Sequence, residues 1–276
     1  GSCKLHLFQT FIFHNTSFVD ILGWGTLEDI VFAALEKYTW NILYLYPWVY
    51  PALPAAEWEN LQNLFRIYVH NFILSLSSDT GLYQIPYPFV IQCVTGCNLY
   101  PNGSYTKFYH LAYNAHEFLS FDVDKSHWER QQESKLAAQV ERQFNNFTVF
   151  SATLQHLLNV TCVDHMKKFI EYGKAALERQ ELPVATVFAR TPRPDQLLLV
   201  CHVTGFYPRP ISVAWLRDGQ EVPPGPTLNT SAILPNADLT YQLRSVLAVA
   251  PRDGHSYACR VRHRSLGTRS LLIPWG

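Results

Sequence analysis

The chain has 276 residues, and its 22 Lys plus Arg balance 22 Asp plus Glu, giving a formal net charge of zero. That balance excludes long-range electrostatic attraction to nucleic acid or to an anionic membrane surface. Charged residues make up 16 % of the chain while 48 % are hydrophobic and 14 % aromatic. Disorder, collagen and coiled coil are excluded, and the chain has more apolar surface to hide than its charged coat suggests.

No apolar run approaches the roughly 18 residues that span a bilayer. The greasiest stretch, residues 42–50, is short and broken by Pro47. No signal peptide precedes the first strand, and Gly1-Ser2 has the form of a tag remnant, so the chain reads as a mature soluble piece of a longer anchored protein. Six cysteines (Cys3, Cys93, Cys97, Cys162, Cys201, Cys259) accompany five Asn-X-Ser/Thr sequons, at Asn15, Asn102, Asn146, Asn159 and Asn229. Together they favour an oxidising compartment, with disulfides and N-linked glycans.

Residues 3–13 alternate, with Leu5, Leu7, Gln9, Phe11 and Phe13 on one face and Phe8 and Ile12 on the other. Turn signals at Asn15-Thr16-Ser17 and Gly23-Trp24-Gly25 predict a meander of strands to about residue 46. From Ala55 the period becomes helical: Trp58, Leu61, Phe65, Tyr68, Phe72 and Leu76 recur every three or four residues. Pro86 and Pro88 end that unit. Strands are predicted at 89–99, 105–115 and 118–122, then a second helical region over about 128–180. There Leu136, Val140, Phe144, Phe147, Phe150, Leu154 and Leu157 share one side. Two four-stranded halves, each followed by a long helix, can join into one antiparallel eight-stranded sheet with both helices on one face.

A boundary is expected where the charged run 174–180 stops at Leu182-Pro183, dividing the chain into residues 1–182 and 183–276. The second part has short strands punctuated by Pro and Gly. Cys201, Trp215, Tyr257 and Cys259 match an immunoglobulin sandwich: an inter-sheet disulfide, a buried Trp and a tyrosine two residues before the second cysteine. Closing a loop of about 58 residues stabilises such a fold by about 4 kcal/mol in the chain-entropy model.

The run 201–208, with Trp215 and the run 259–263, resembles the constant-type immunoglobulin domain of class I major histocompatibility heavy chains. Upstream, Trp58-Glu59-Asn60-Leu61-Gln62-Asn63-Leu64-Phe65 and Leu157-Leu158-Asn159-Val160-Thr161-Cys162 resemble the lipid-presenting branch, the cluster of differentiation 1 family, as does Ile233-Leu234-Pro235-Asn236-Ala237-Asp238. The similarity runs through essentially the whole chain. It implies an α+β fold, an eight-stranded sheet topped by two long helices and followed by an immunoglobulin-like domain. It further implies a non-enzymatic glycoprotein pairing with beta-2-microglobulin, holding a lipid or fatty acid in a groove and displaying it to T-cell receptors. The implied location is the cell surface and endosomal membranes, with the anchor of the full-length protein after Gly276. The family's sheet-to-helix disulfide maps onto Cys97–Cys162, and Tyr207-Pro208 sits where the family has a cis bond.

With Cys97 pointing up towards Cys162, Cys93 and Thr95 point up with it. Leu7, Gln9, Phe11 and Phe13 complete the first strand's share of the floor, and Tyr109, Leu111 and Tyr113 are the floor set of the strand over 107–116. Gln9 stands as an isolated polar group there, placed to bond a neighbouring Tyr hydroxyl. The walls are Leu61, Phe65, Tyr68, Phe72 and Leu76 from the first helix and Val140, Phe144, Phe147, Phe150 and Leu154 from the second. If the helices were packed shut, these aromatics would be crowded; spread apart, they line a dry slot that favours an apolar occupant. Each buried methylene contributes about 0.8 kcal/mol, so a sixteen-carbon chain gains roughly 12 kcal/mol gross before the costs of association. By the same resemblance, glycolipid-presenting members carry an acidic and a basic residue on the first helix where this chain has Ser75 and Leu74, and an acidic residue and a Thr on the second where it has Phe147 and Phe150. The expectation is a reduced groove for one or two alkyl chains with weak head-group recognition.

Cys93 and Cys97 lack the spacing and second ligand pair of a zinc site, no hydrolase motif appears, and no cofactor is expected. Glu117, Asp122 and Asp124 read as turn and surface residues; Cys3 and Cys93 share the floor-facing parity, which leaves a third disulfide conceivable, with buried free thiols the favoured reading. Eleven histidines leave an endosomal pH response open. A peptide-presenting class I molecule is disfavoured because the run 144–150 offers no Lys or Trp clamp. The other alternative is a class I-like receptor with a closed groove that binds a protein, as the neonatal Fc receptor does.

Overall fold

The computed structural model describes residues 2–83 and 85–276, omitting the side chains of 77–83. It divides into two compact units, residues 1–174 and 175–276. The first opens with strands β1 (Cys3–Asn15), β2 (Phe18–Leu27), β3 (Ile30–Leu35) and β4 (Ile42–Tyr44), followed by helix α1 (Ala55–Tyr83). Strands β5 (Phe89–Leu99), β6 (Tyr105–Tyr113), β7 (His116–Asp122) and β8 (His127–Arg130) then lead into α2 (Lys135–Asn146), α3 (Thr148–His156) and α4 (Cys162–Leu177). All eight strands form one antiparallel sheet in the order β4-β3-β2-β1-β5-β6-β7-β8. The two halves join at β1 and β5, whose register runs unbroken from Cys3↔Leu99 to Phe13↔Phe89.

Alternation along β1 buries Leu5, Gln9, Phe11 and Phe13 under the helices, while the even positions face the other way. Phe11 packs on Phe72 of α1 with ring centroids 4.6 Å apart. Across the sheet, Phe32 of β3 meets Phe169 of α4 at 4.9 Å.

The helical region predicted over 128–180 is not one helix. Residues 127–130 pair with β7 instead, because the indole of Trp128 fills the core completely and donates to Ser151 Oγ at 3.2 Å. The helix starts only after Ser134, whose hydroxyl accepts from the Ala137 N–H as a cap. It breaks again at Phe147 (φ −83°, ψ 68°). Asn145 helps to set that break: its side chain accepts from the Trp128 N–H at 2.8 Å and donates back to the Trp128 carbonyl at 2.9 Å. Residues 157–161 then widen into a π turn before α4, an irregularity frequent at functional sites.

The second unit carries β9 (Val184–Arg193), β10 (Gln196–Phe206), β11 (Ile211–Arg217), β12 (Gln220–Glu221), β13 (Leu228–Thr230), β14 (Leu234–Pro235), β15 (Tyr241–Val249), β16 (Tyr257–His263) and β17 (Leu271–Trp275). They make two sheets, β13-β15-β10-β9 with β14 beside β15, and β12-β11-β16-β17. Cys201–Cys259 bridges the sheets beside the fully buried Trp215. Tyr257 Oη donates to the Asp253 carboxylate at 2.6 Å, and Tyr207–Pro208 is cis.

Candidate functional site: a cleft beside an aromatic plug

The helix face of the sheet carries an apolar floor, and what lies above it changes along its length. Towards the α2 end, Phe11, Phe13, Cys93, Tyr109, Leu111, Phe72, Leu76, Val140, Phe144 and Leu154 all join one buried cluster, with Phe65, Tyr68, Tyr113 and Phe150 packed against it. Aromatic rings close the space between the helices. Phe72 meets Phe144 edge-on at 6.2 Å, and Tyr68 stacks on Phe150 at 5.9 Å and 11°. Trp128 fills in below, 5.0 Å from Phe144 and 6.2 Å from Phe150. Behind this plug a residual void of about 10 Å³ remains, between Leu76, Phe89, Ile91, Tyr113, Phe118 and Val140. It is too small for an alkyl chain.

The plug has a polar centre. Tyr68 Oη and Tyr109 Oη share a 2.5 Å hydrogen bond, and the Cys93 thiol bonds into the same pair. Burial dominates here: it pushes the thiol up to about 12 and both phenols well above their ordinary range. All three groups are therefore neutral donors and acceptors at any physiological pH. Cys3 is also a buried free thiol, six strand positions from Gln9, the register partner of Cys93, so no third disulfide forms.

Beyond Phe65 the helices part. An open cleft of about 770 Å³ lies between Asn60, Leu61 and Leu64 of α1 and Val149, Ala152 and Thr153 of α3. The π turn and α4 continue its wall with Leu157, Val160, Thr161 and Asp164. Its volume falls within the ordinary range for small-molecule sites. The far end closes again, where Trp58 stacks on Phe169 at 5.8 Å and Glu57 pairs with His165 (3.4 Å) and Lys168 (3.5 Å). Burial lowers the His165 pKa despite the neighbouring Glu57.

A helix above a void needs a tether, and this one has two. Cys97–Cys162 ties the start of α4 to β5, and Lys107 Nζ of β6 donates to Asn159 Oδ1 at 2.7 Å. Below, Leu7 lies on the floor face yet is 45 % exposed, so the sheet is uncovered at that point.

Three expectations need correction. The helices do not stand apart along their whole length; they are bridged at both ends of the cleft. Phe147 is not a wall residue: the break in the helix turns it outwards, 41 % exposed. Gln9 does not bond a tyrosine hydroxyl, because Tyr68 and Tyr109 are committed to each other and to Cys93. Leu74 is exposed on α1 and Ser75 half-buried. Of the sequons, Asn15, Asn102, Asn146 and Asn229 are exposed, whereas Asn159 is half-buried against Lys107. Sequence reasoning missed Asn60, Leu64, Val149, Ala152 and Val160 as cleft residues, since each falls outside the apolar stripe that periodicity selects. Among the described residues no cluster of metal-ligating side chains occurs, and no helix is long and apolar enough to cross a membrane.

Comparison with known proteins places both units. Residues 1–176 match the MHC-I family domain and residues 186–266 the immunoglobulin C1-set domain. The chain is 35 % identical over 275 residues to human T-cell surface glycoprotein CD1e, membrane-associated, covering 99 % of this chain and 69 % of that protein. Sheep T-cell surface glycoprotein CD1b-1 is 32 % identical over 277 residues, 100 % of this chain and 82 % of that one. Among solved structures, chicken CD1-1 superposes with a TM-score of 0.93 at 47 % identity, covering 100 % of both chains. A structure of chicken CD1-2 with bound fatty acid gives 0.92 at 40 % identity, covering 99 % of this chain and 98 % of that one.

Proposed function

The chain belongs to the CD1 family of class I-like antigen-presenting glycoproteins, binding proteins rather than enzymes, and we propose that it holds a single alkyl chain in the open cleft and displays it to T-cell receptors. The observation that carries this reading is the contrast between the 770 Å³ cleft and the 10 Å³ void behind the plug. The first accommodates one chain; the second leaves no room for another. The bound fatty acid in chicken CD1-2 supports the same ligand class.

Leu64, Val149 (80 % exposed) and Val160 stand open to solvent at the cleft. Asn60, Thr153, His156, Thr161 and Asp164 also line it, and Glu57, His165 and Lys168 pair at one end. These groups are available to the polar end of a ligand whose alkyl chain lies in the cleft.

On the opposite face of the sheet Phe8 stacks on Trp24 at 5.6 Å, and Leu22 and Trp24 are exposed. This aromatic strip is the proposed seat of beta-2-microglobulin. The location proposed with it is the surface and endosomes of an antigen-presenting cell.

The runner-up, a class I-like receptor with a closed groove and a protein ligand, draws support from the plug itself. Chloroform extraction of the purified protein followed by mass spectrometry separates the two. Single-chain lipid near one equivalent is the expected result; no lipid, or stoichiometric two-chain glycolipid, overturns it.

A further inference from the structure

The open cleft changes character along its length. Leu64 and Val149, which line it, are sequence neighbours of the plug residues Phe65 and Phe150, whereas Asn60, Thr161 and Asp164 line it towards the Glu57, His165 and Lys168 group. A single alkyl chain with one polar end fits that gradient in one direction, its tail towards the plug and its polar end towards α4.

The charges at that end are committed, with one exception. Lys168 pairs with Glu57 at 3.5 Å, and Glu57 meets His165 at 3.4 Å. Burial lowers the His165 pKa, so its imidazole is neutral at pH 7. Asp164 is exposed on the cleft wall and has no hydrogen bond or ion pair among the described residues. A helical carboxylate ordinarily finds its cation three or four residues on. Here Lys168, at that spacing, pairs with α1 instead, and Lys167 does not line the cleft. Nor does Asp164 cap a free helix end. His156 and Cys162 both have helical dihedrals, and the Cys162 N–H donates back to the Leu157 carbonyl, so the backbone runs helically from α3 through the π turn into α4.

We propose that Asp164 is a specificity determinant, its carboxylate receiving the ammonium group of a single-chain amino-lipid. An ammonium brings three donors and no acceptor, which suits this carboxylate together with the Thr161 hydroxyl and the Asn60 side-chain carbonyl. A carboxylate head group would instead meet Asp164 with like charge. Lys168, the one Lys or Arg among the described lining residues, is already held by Glu57. This assignment rests on the single-chain reading and adds the chemistry of the polar end.

The test is displacement of a fluorescent single-chain lipid at pH 7 by hexadecylamine, hexadecanol and hexadecanoic acid, on the natural protein, Asp164→Asn and Glu59→Gln. Glu59 is an exposed carboxylate of α1 that does not line the cleft, so it reports attraction to the surface at large. The natural protein and Glu59→Gln are expected to favour the amine over the alcohol about three-fold, the worth of one exposed ion pair, with the acid weakest. Asp164→Asn, an isosteric change at an exposed position, is expected to bind amine and alcohol alike, and Asp164→Lys to favour the acid. An amine preference that survives in Asp164→Asn overturns the assignment, as does one lost equally in Glu59→Gln. Failure of all three compounds to bind removes the single-chain reading as well; binding of all three without preference by the natural protein removes this assignment alone.

Discussion

The two halves of the space between the helices share a floor and a sheet but differ in what fills them. On the α2 side the aromatics of both helices interlock over Phe11, Tyr109 and Trp128, and the region is ordinary close-packed core. On the α4 side smaller residues, Leu61, Ala152, Leu157 and Val160, face each other across an open cleft. Side-chain size, more than helix placement, therefore sets the room available to a ligand: Phe150 and Phe144 close the gap on one side, and Ala152 leaves it open on the other.

That contrast predicts a large difference in mutational cost. Phe72→Ala is expected to destabilise the protein by about 3–5 kcal/mol, as for other buried aromatics, whereas Val149→Ala in the cleft is expected to change stability by less than about 0.5 kcal/mol. Urea unfolding measures both; a small cost at Phe72 would mean that the plug is ligand space occupied by loosely held rings. Next in size is the tether. Breaking Cys97–Cys162 by a double change to Ala is expected to cost about 2–4 kcal/mol, and ligand release should quicken because that bond and Lys107 fix the π turn and the start of α4 beside the cleft, while Phe169 anchors the helix further along. Unchanged release would show that the helix needs no tether.

Filling the cleft sharpens the comparison from the other side. Leu157→Trp is expected to displace bound lipid, seen as loss of extractable chain, while thermal stability measured without ligand shifts little. The smallest effect concerns acid. Burial lowers the His165 pKa in the folded protein, so unfolding takes up a proton at mildly acidic pH. The stability this group contributes is complete above its unfolded value of about 6.5 and is lost as pH falls through the lower folded value. Going from pH 7.5 to pH 5 should destabilise the natural protein more than His165→Gln, by under about 1 kcal/mol. Equal losses would remove His165 as a source of acid sensitivity. Glu57, Asp164 and Lys168 are the charges that act on it.

Much of this architecture is legible in the residues. Alternation in 3–13, the helical stripe from Trp58 to Leu76 and the Cys201–Trp215–Tyr257–Cys259 set each correspond to a real element, because each is a local pattern imposed by burial on one face. The departures are of another kind. Trp128 looks helical by spacing but is drawn into a strand by a cavity that only the assembled sheet creates. Phe147 fits the apolar stripe, yet Asn145 bonds the Trp128 backbone and the helix stops there. The cleft was the least legible feature, since it is lined partly by residues such as Asn60 and Thr153 that no hydrophobic period picks out. Gln9 was visible as an anomaly; that its tyrosine neighbours are already paired follows only from the tertiary structure.

A crystal of the protein loaded with a terminally brominated hexadecanoic acid tests the account most directly, through the anomalous signal of the halogen. The account places the bromine in the cleft, near Leu61, Leu64, Ala152 and Leu157, with the Phe72–Phe144 contact intact. A bromine lodged behind that contact, among Leu76, Phe89 and Val140, would contradict it.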